Sequence, residues 1–348
     1  MNAVRGKSPY AALVATLSVG LFFLFFASVC FGRVDGIGLD KAFGIVAHSV
    51  FPDYPISWTP AEEAAVLQLR LPRIVLSVLV GASLAVAGSA YQTVFSNPIA
   101  SPETIGATQA SAFGAAAGML LGFSWLGVKL GAFVFGCAVA YLVYWCASRL
   151  ARNLGSIVFL VLIGMMAASV FDALVAMAKY IADPEEQLPQ ITYWLMGSLS
   201  HAAPEDVWLF APFFLTGTAA LWAIRWRINL LLVSDIESRS MGANVRALRC
   251  VAIVAASLLT AAATAVTGGI SWIGLVIPHA ARLLAGNDFR KTLPVNILLG
   301  SVFLLAIDDI ARCASAAELP VSVLTSLLGA PLFFALLVRN RRMLAHEN

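Results

Sequence analysis

Side chains that could do chemistry are sparse in this chain of 348 residues. Its four histidines and five cysteines are scattered, and no pair has the spacing of a metal site or a redox motif, so we expect no bound metal. There is no Walker A sequence and no nucleophile elbow, so we expect no ATPase site, no catalytic residues and no enzyme activity in the chain itself. Asp308 precedes Arg312 by four residues, a spacing that allows an ion pair on one helix face.

Two arginines flank a proline in the run Arg70-Leu-Pro-Arg73, where a second long apolar segment begins. The proline stands at a position where a helix can start. Arginine suits bidentate contact with a carboxylate, so the pair offers fixed cations to an acidic partner outside the membrane. The alternative interpretation is an ordinary charged boundary of a membrane span.

A rigid turn is predicted at the other end of this segment, where Asn97-Pro98 and Ser101-Pro102 follow one another. The residue before a proline disfavours the helical conformation, so the helix must stop here. The turn carries no positive charge. It either constricts a pathway or is simply a tight helix connection.

The longest polar loop, residues 225–249, contains a pattern typical of a short helix. Ser234 or Asp235 is placed to cap a helix that ends at Gly242, and Ile236, Met241 and Val245 are available for packing. Loops of this kind often lie on the membrane surface. In a chain without an ATPase site, we favour a docking helix for a separate ATPase.

An interrupted helix is predicted in residues 268–294. Gly268, Gly269, Gly274 and Pro278 break an apolar run that ends on His279 and Arg282. Irregular backbone at membrane depth is tolerated only where it is buried in protein or lines a cavity. The segment is therefore predicted to be more than an anchor.

The elements that position these residues are membrane helices. With 60% hydrophobic residues, 12% charged residues and a mean hydropathy of +0.86, the chain has more apolar surface than a soluble protein can bury. Spans of about 20 residues give an all-α polytopic membrane protein with about ten transmembrane helices, at approximately 11–31, 72–95, 104–123, 128–148, 157–179, 206–224, 248–267, 270–284, 293–311 and 321–338. Gly81 with Gly88, and Gly114 with Gly118, are predicted to let helices approach closely.

The distribution of Lys and Arg predicts the orientation. Most of them fall on one side if both termini are cytoplasmic, and the net charge of +3 reflects this bias. We therefore interpret 1–348 as one transmembrane domain with a short cytoplasmic segment 1–10, a cytoplasmic loop 225–249 and a cytoplasmic tail 339–348. We expect no nucleic-acid partner.

Several motifs in register resemble those of the permease subunits of metal-chelate ABC importers, which move iron-siderophores, haem and cobalamin. They are Arg70-Leu-Pro-Arg73, Asn97-Pro98, Tyr193-Trp194 with Gly197-Ser198, the Gly242 loop, Ile273 to His279 with Arg282, Asp308 with Arg312, Glu318-Leu-Pro320 and Gly329-Ala-Pro331. The resemblance implies a type II importer permease in a bacterial inner membrane. Its partners would be a second permease copy or a paralogue, two ATPase subunits that use ATP and Mg, and a periplasmic substrate-binding protein.

The resemblance also implies roles for individual residues. Binding-protein docking would fall to Arg70, Arg73 and Arg312, and a cytoplasmic gate to Asn97, Pro98 and Ile99 with Gly155 and Ser156. The segment that receives the ATPase stroke would contain Asp235, Glu237, Arg239, Gly242 and Arg246, and a pathway would be lined by Thr108, Ser111 and Ser169.

Two other classes of function stay open at this point. A secondary transporter would work from an ion gradient, without an ATPase, and an intramembrane enzyme would need no binding protein. The cargo is open too, because an oxyanion such as molybdate is carried by relatives with the same motifs.

Overall fold

A computed structural model describes residues 9–31, 37–150, 156–314 and 318–346, and all regular elements in these ranges are helical. The α-helices are α1 Pro9–Cys30, α2 Leu39–Val50, α3 Pro60–Ala64, α4 Leu71–Val94, α5 Ala107–Leu120, α6 Trp125–Leu150, α7 Ser156–Ile181, α8 Gln187–Leu195, α9 Pro204–Ile224, α10 Asp235–Ser240, α11 Val245–Thr267, α12 Ile273–Ala285, α13 Phe289–Cys313 and α14 Val321–His346. A π-helical turn covers Ala65–Arg70, and 3-10 turns cover Pro102–Ile105 and Ile228–Leu232.

Each of the ten predicted spans coincides with one of these helices, which confirms an all-α polytopic fold. Seven of the described helical segments are long and apolar enough to cross a membrane, judged by length and composition. They contain α1, α4, α6, α7, α9, α11 and α13. The helices at the other three predicted spans have shorter apolar stretches. These are the 14 residues of α5, the 13 residues of α12 and the part Val321–Leu336 of α14.

The helix α4 lies at the centre of the bundle. It packs against α13, α11, α12 and α9, and most of its residues are buried. By contrast, α1, α7 and α9 bury only a small share of their residues within the chain. Since apolar exposure costs nothing in lipid, these outer helices are available to lipid or to another membrane subunit.

Glycine pairs set the closest helix contacts, as the sequence predicts. Gly81 on α4 meets the backbone of Gly300 on α13, and Gly114 on α5 meets Gly131 on α6. A Cβ atom at any of these positions would overlap the neighbouring backbone. These contacts confirm the predicted close packing at Gly81 and Gly114.

The start of the second span differs from the prediction. The helix does not begin at Pro72, because α3, the π-helical turn and α4 form one continuous segment, Pro60–Val94. It begins at the capping residue Thr59, whose hydroxyl accepts a hydrogen bond from the Glu62 amide at 3.3 Å. A proline has no amide hydrogen and crowds the preceding turn, and the wider π-helical turn just before Pro72 accommodates it.

The predicted interruption near residue 270 is confirmed, although its bounds are narrower. The helix α11 stops at Thr267, Gly268 has a φ of +72°, and α12 then runs through both Gly274 and Pro278. Trp272 also has a φ of +72°, which is uncommon outside glycine. The break is therefore confined to residues 268–272.

Neighbouring backbone holds this break in place. The Ser198 amide donates to the carbonyl of Thr267 at 2.8 Å, and the Val321 amide donates to the carbonyl of Gly197 at 3.0 Å. Gly197 and Gly268 both have positive φ and lie against each other. The Tyr193–Ser198 motif thus supplies a donor to a carbonyl at the end of the interrupted helix, as buried backbone requires.

Gln92 on α4 compensates for Pro278. Because Pro278 has no amide hydrogen, the carbonyl of Gly274 lacks its helical donor. The Gln92 Nε2 atom donates to the carbonyl oxygens of Gly274 at 3.4 Å and Leu275 at 3.3 Å. A glutamine at this position therefore ties α4 to α12.

We expect the Gln92→Leu substitution to destabilise the folded chain by about 1–3 kcal/mol, because a buried carbonyl would lose its donor. The measurement is the unfolding temperature of the purified protein in detergent. Gln68→Leu is the matched control, since Gln68 is exposed and its replacement should change stability by less than about 0.5 kcal/mol. Equal unfolding temperatures for the two variants would contradict the assignment.

Candidate functional site

A network of buried charges lies at one end of the bundle, which we call the arginine end after Arg70, Arg73 and Arg312. The Nε and Nη2 atoms of Arg73 donate to Asp308 on α13, at 3.0 Å and 2.8 Å. Its Nη1 atom donates to Glu318 at 2.8 Å. Asp308 is completely buried, so its charge depends on these partners.

Arg312 extends the network toward α1. Its Nε atom lies 3.3 Å from Asp308, which confirms the ion pair predicted from the four-residue spacing. Its Nη2 atom contacts Asp309 and donates to the Ser28 hydroxyl at 2.7 Å, and that hydroxyl donates to Asp309 at 2.6 Å. The network thus joins α1 to α13.

Arg70 closes the end of α1. Its Nη1 atom donates to the carbonyls of Val29 at 2.8 Å and Cys30 at 3.1 Å. The last carbonyls of a helix have no intrahelical donor, so the guanidinium supplies one. Arg70 is therefore a buried cap of α1.

The structure does not leave Arg70, Arg73 and Arg312 as free surface cations, and their role in binding-protein docking stays a prediction. Their exposed fractions are 5%, 7% and 6%, and each guanidinium is bonded within the chain. The physical reason is that a desolvated arginine is stable only with partners, and the sequence does not show how deep the residues lie.

A second group of predicted residues lies at the opposite end of α4, which is about 36 Å long. We call this the Asp235 end. The short helix α10 starts as predicted: the Ser234 hydroxyl accepts from the Glu237 amide at 3.3 Å, and the Glu237 carboxylate accepts from the Ser234 amide at 3.2 Å. Gly242 follows the helix with a φ of +77°, a conformation that favours glycine.

The packing predicted for this helix is only partly right. Val245 is buried, but Ile236 and Met241 have exposed fractions of 83% and 56%. The face of α10 that carries Ser238 points to the bundle, where the Ser238 hydroxyl donates to the carbonyl of Leu230 at 2.5 Å. Ile236 and Met241 therefore form an exposed apolar surface beside Arg239, which is also exposed.

Asp235 ties α10 to the core. Both of its carboxylate oxygens accept from Arg249 on α11, at 3.0 Å and 2.7 Å. This bidentate arrangement fixes the orientation of the short helix relative to α11. The role of Asp235 in the structure is thus internal, whereas Arg239 and Arg246 point outward.

The turn after α4 directly contacts the 3-10 turn Ile228–Leu232, which precedes α10. The Ser96 hydroxyl donates to the carbonyl of Leu231 at 3.0 Å. Within the turn, the Asn97 side chain accepts from the Ile99 amide at 3.0 Å, and Asn97, Pro98 and Ile99 are all exposed. The structure therefore brings together two predicted features, the rigid turn and the polar loop.

Asn229 links the 3-10 turn Ile228–Leu232 to α13. Its Nδ2 atom donates to Asp288 at 2.8 Å, and its Oδ1 atom accepts from the Phe289 amide at 2.9 Å. Hydrogen bonds from Arg290 and then Asn229 lower the pKa of Asp288 to about 2, so the carboxylate is ionised at neutral pH. This contact fixes the start of α13.

The residues predicted to line the pathway differ in burial. Ser169 is exposed on α7, and Thr108 is half-buried on α5. Ser111 is completely buried where α5 meets Gly136 of α6, so its prediction as a pathway-lining residue is wrong. Gly155 lies outside the described residues, as does the side chain of Ser156, where α7 begins.

The residues that sequence reasoning missed are Ser96, Asn229 and Arg249. No motif marks them, since each acts through a partner on another element. The only sequence signal was their position within or beside the predicted turn and loop.

Comparison with known proteins gives consistent matches. Residues 20–339 match the FecCD transport family. The chain is 38% identical to the molybdate import system permease protein MolB of Haemophilus influenzae, over 81% of this chain and 83% of that protein. It is 33% identical to the Fe(3+) dicitrate transport system permease protein FecC of Escherichia coli, over 96% of both chains.

Two further matches cover most of the chain. It is 36% identical to the cobalamin import system permease protein BtuC of Halobacterium salinarum, over 84% of this chain and 78% of that protein. A solved inward-facing conformation of a putative metal-chelate type ABC transporter superposes with a TM-score of 0.84 at 34% identity, covering 94% of this chain and 99% of the other. The similarity therefore extends through the helical bundle.

Proposed function

The chain belongs to the FecCD transport family and is the permease subunit of an ABC importer, and from that premise we propose how its residues serve import. We propose that it carries a metal chelate through the membrane, driven by a separate ATPase. The observation that supports coupling to an ATPase most directly is the Ser96–Leu231 hydrogen bond, which connects a turn at the end of α4 to the polar loop.

The ATPase subunits would bind the exposed surface around α10. Ile236 and Met241 supply apolar area, and Arg239 and Arg246 supply charge at its edge. A stable contact needs desolvated apolar groups surrounded by polar ones, which this surface offers. There would be two ATPase subunits, and they would bind ATP and Mg in place of this chain.

Movement of α10 would reach the bundle by three contacts. The Asp235–Arg249 pair leads to α11, the Asn229–Asp288 contact leads to α13, and the Ser96–Leu231 contact leads to the turn with Asn97 to Ile99. This turn would act as the inner gate, with residues 155–156 as its counterpart. ATP binding would then shift the chain between two conformations that open the pathway to opposite sides.

The pathway would lie between this chain and a second copy or a paralogue. The exposed face of α7 supports this arrangement, since Ser169 and Asp172 are exposed in the middle of a helix whose other polar side chains lie near its ends. A carboxylate at membrane depth is expected to face water or a partner, not lipid. Thr108 would contribute to the same pathway from α5.

A periplasmic binding protein would dock at the arginine end, with both termini of the chain in the cytoplasm of a bacterial cell and the bundle in its inner membrane. Because Asp308 is completely buried, the accessible edge of the network is Glu318, whose side chain is 26% exposed and pairs with Arg73. An acidic residue of the binding protein would therefore compete with Glu318 for this guanidinium.

The coupling role is tested with Ile236→Asp in the complete importer, reconstituted with its ATPase and binding protein in vesicles. We expect ATP-driven uptake of chelate to fall at least about tenfold, because a carboxylate would replace the apolar contact. Ile236→Leu keeps the apolar side chain and should transport normally. The unfolding temperature of both variants should match the parent, since Ile236 is exposed.

Two outcomes would contradict the proposal. Normal uptake by Ile236→Asp would remove α10 from the ATPase contact. Uptake that persists in vesicles without the ATPase subunits would instead indicate a secondary transporter driven by an ion gradient.

A further inference from the structure

A cavity of about 570 Å³ opens beside the charge network at the arginine end. It lies between the start of α6, the helix α8, the start of α9 and the segment that contains Glu318. Volumes of about 300–1,000 Å³ are typical of small-molecule sites. Of its lining residues, Glu318 has a role proposed above, at the docking edge, and the cavity itself has none.

The ionic groups in its wall are already compensated. Lys129 forms an ion pair with Asp206, and Glu318 pairs with Arg73. The described lining contains no other lysine or arginine. A bare oxyanion needs unpaired cations or convergent N–H donors, so this wall is poorly suited to one.

Aromatic faces make up much of the remaining wall. The rings of Trp125 and His201 are stacked, with centroids 5.9 Å apart and planes 26° apart. Tyr193 and Trp194 line the cavity from α8, and Tyr193 is largely exposed. Such rings offer flat, polarisable surface to another conjugated ring system.

A few polar groups are placed to orient a ligand. Ser198 and Ser200 are hydrogen-bonded to each other at 2.9 Å, and Gln190 projects from α8 into the same wall. Tryptophan and tyrosine also gather at membrane interfaces without binding anything. Here, however, the rings share a concave wall with the Lys129–Asp206 ion pair, which lipid chains would not solvate.

We propose that this cavity binds the planar, conjugated part of a bulky chelate before it enters the pathway. The inference rests on the proposed import function and adds a site and a ligand chemistry to it. Bound cargo would stack on Trp125 and His201, with Ser200 and Gln190 within reach of its polar substituents.

The test is equilibrium binding to the purified importer complex in lipid nanodiscs without ATP, corrected for binding to empty nanodiscs. The three probes are hemin, which is planar and conjugated, Fe(3+) dicitrate, which has no aromatic ring, and molybdate. We expect saturable hemin binding, and binding of the other two at least about tenfold weaker.

Trp125→Leu should weaken hemin binding about tenfold, because it removes a stacking face. Trp208→Leu is the matched control, since Trp208 is an exposed tryptophan on α9 outside the cavity, and it should bind hemin like the parent. Ser200→Trp provides a second test that leaves Trp125 in place, because a large side chain would take up part of the cavity and should also weaken hemin binding about tenfold.

Equal hemin affinities for Trp125→Leu, Ser200→Trp and Trp208→Leu would overturn the assignment. So would molybdate binding as tight as that of hemin. ATP-driven uptake by the same variants, reconstituted in vesicles with the ATPase and the binding protein, separates the two hypotheses: if uptake is normal and the cavity variants bind hemin as the parent does, only the cavity proposal fails. If uptake instead persists in vesicles without the ATPase subunits, the proposed import function fails.

Discussion

Asp308→Asn is expected to destabilise the folded chain by about 3–5 kcal/mol, because it removes the buried carboxylate that two arginines share. Arg73 donates to both oxygens of Asp308, and the Nε atom of Arg312 lies 3.3 Å from it. Asparagine keeps the shape of the side chain but not its charge. Two desolvated cations would then face each other with less compensation.

The measurement is the unfolding temperature and the yield of monodisperse protein in detergent. Asp172→Asn is the matched control, since Asp172 is an exposed carboxylate on α7, and its unfolding temperature should stay close to that of the parent. If the two variants unfold at the same temperature, Asp308 does not hold the arginine end together.

The charge network around Arg73 also determines which substitution is suited to test docking of the binding protein. A glutamate at position 73 would sit beside Asp308 and Glu318, so three carboxylates would crowd one buried site. Loss of uptake in such a variant would then report misfolding. Glu318→Gln is the sharper choice, because it leaves Arg73 paired with Asp308 while it removes the accessible competitor for an acidic partner.

Gly88→Ala is expected to destabilise the chain by about 3 kcal/mol, because the added methyl group overlaps a neighbouring backbone. The Cβ atom would fall on the carbonyl oxygen, the carbonyl carbon and the Cα atom of Gly274. Backbone atoms cannot rotate away, so α4 and α12 must separate. Their separation would also break the hydrogen bonds from Gln92 to the carbonyls of Gly274 and Leu275.

Gly20→Ala provides the control for this substitution. A Cβ atom at Gly20 on α1 meets nothing within 4 Å, and alanine favours the helical backbone. Its unfolding temperature should equal or slightly exceed that of the parent. The close approach of α4 and α12 is refuted if Gly88→Ala is as stable as Gly20→Ala.

Several features could be predicted from the sequence because their causes are local. The apolar length of each span follows from the thickness of the bilayer, so ten segments could be placed before any contact was known. The capping of α10 by Ser234 and the turn at Gly242 depend on residues within one helical turn. The Asp308–Arg312 ion pair also joins residues about one helical turn apart.

The burial of individual side chains and the direction in which they point could not be predicted from local sequence. The sequence places Arg73 at the edge of a span but does not show that Asp308 reaches it from 235 positions away. Ile236 and Met241 follow an amphipathic pattern, yet they point outward because Ser238 faces the bundle. The same holds for Ser111, which is covered by α6.

From the sequence alone we could predict the membrane class, the ten helical segments, the interruption after Thr267 and the family resemblance. Each of these depends on hydropathy, on backbone preferences or on residues a few positions apart. The packed helices were needed to show that the arginines are buried, that Ser96 contacts Leu231 across 135 positions, and that aromatic rings from three elements line one cavity. The physical reason is that side-chain burial and long-range pairing are set by the packing of whole helices, which no local pattern encodes.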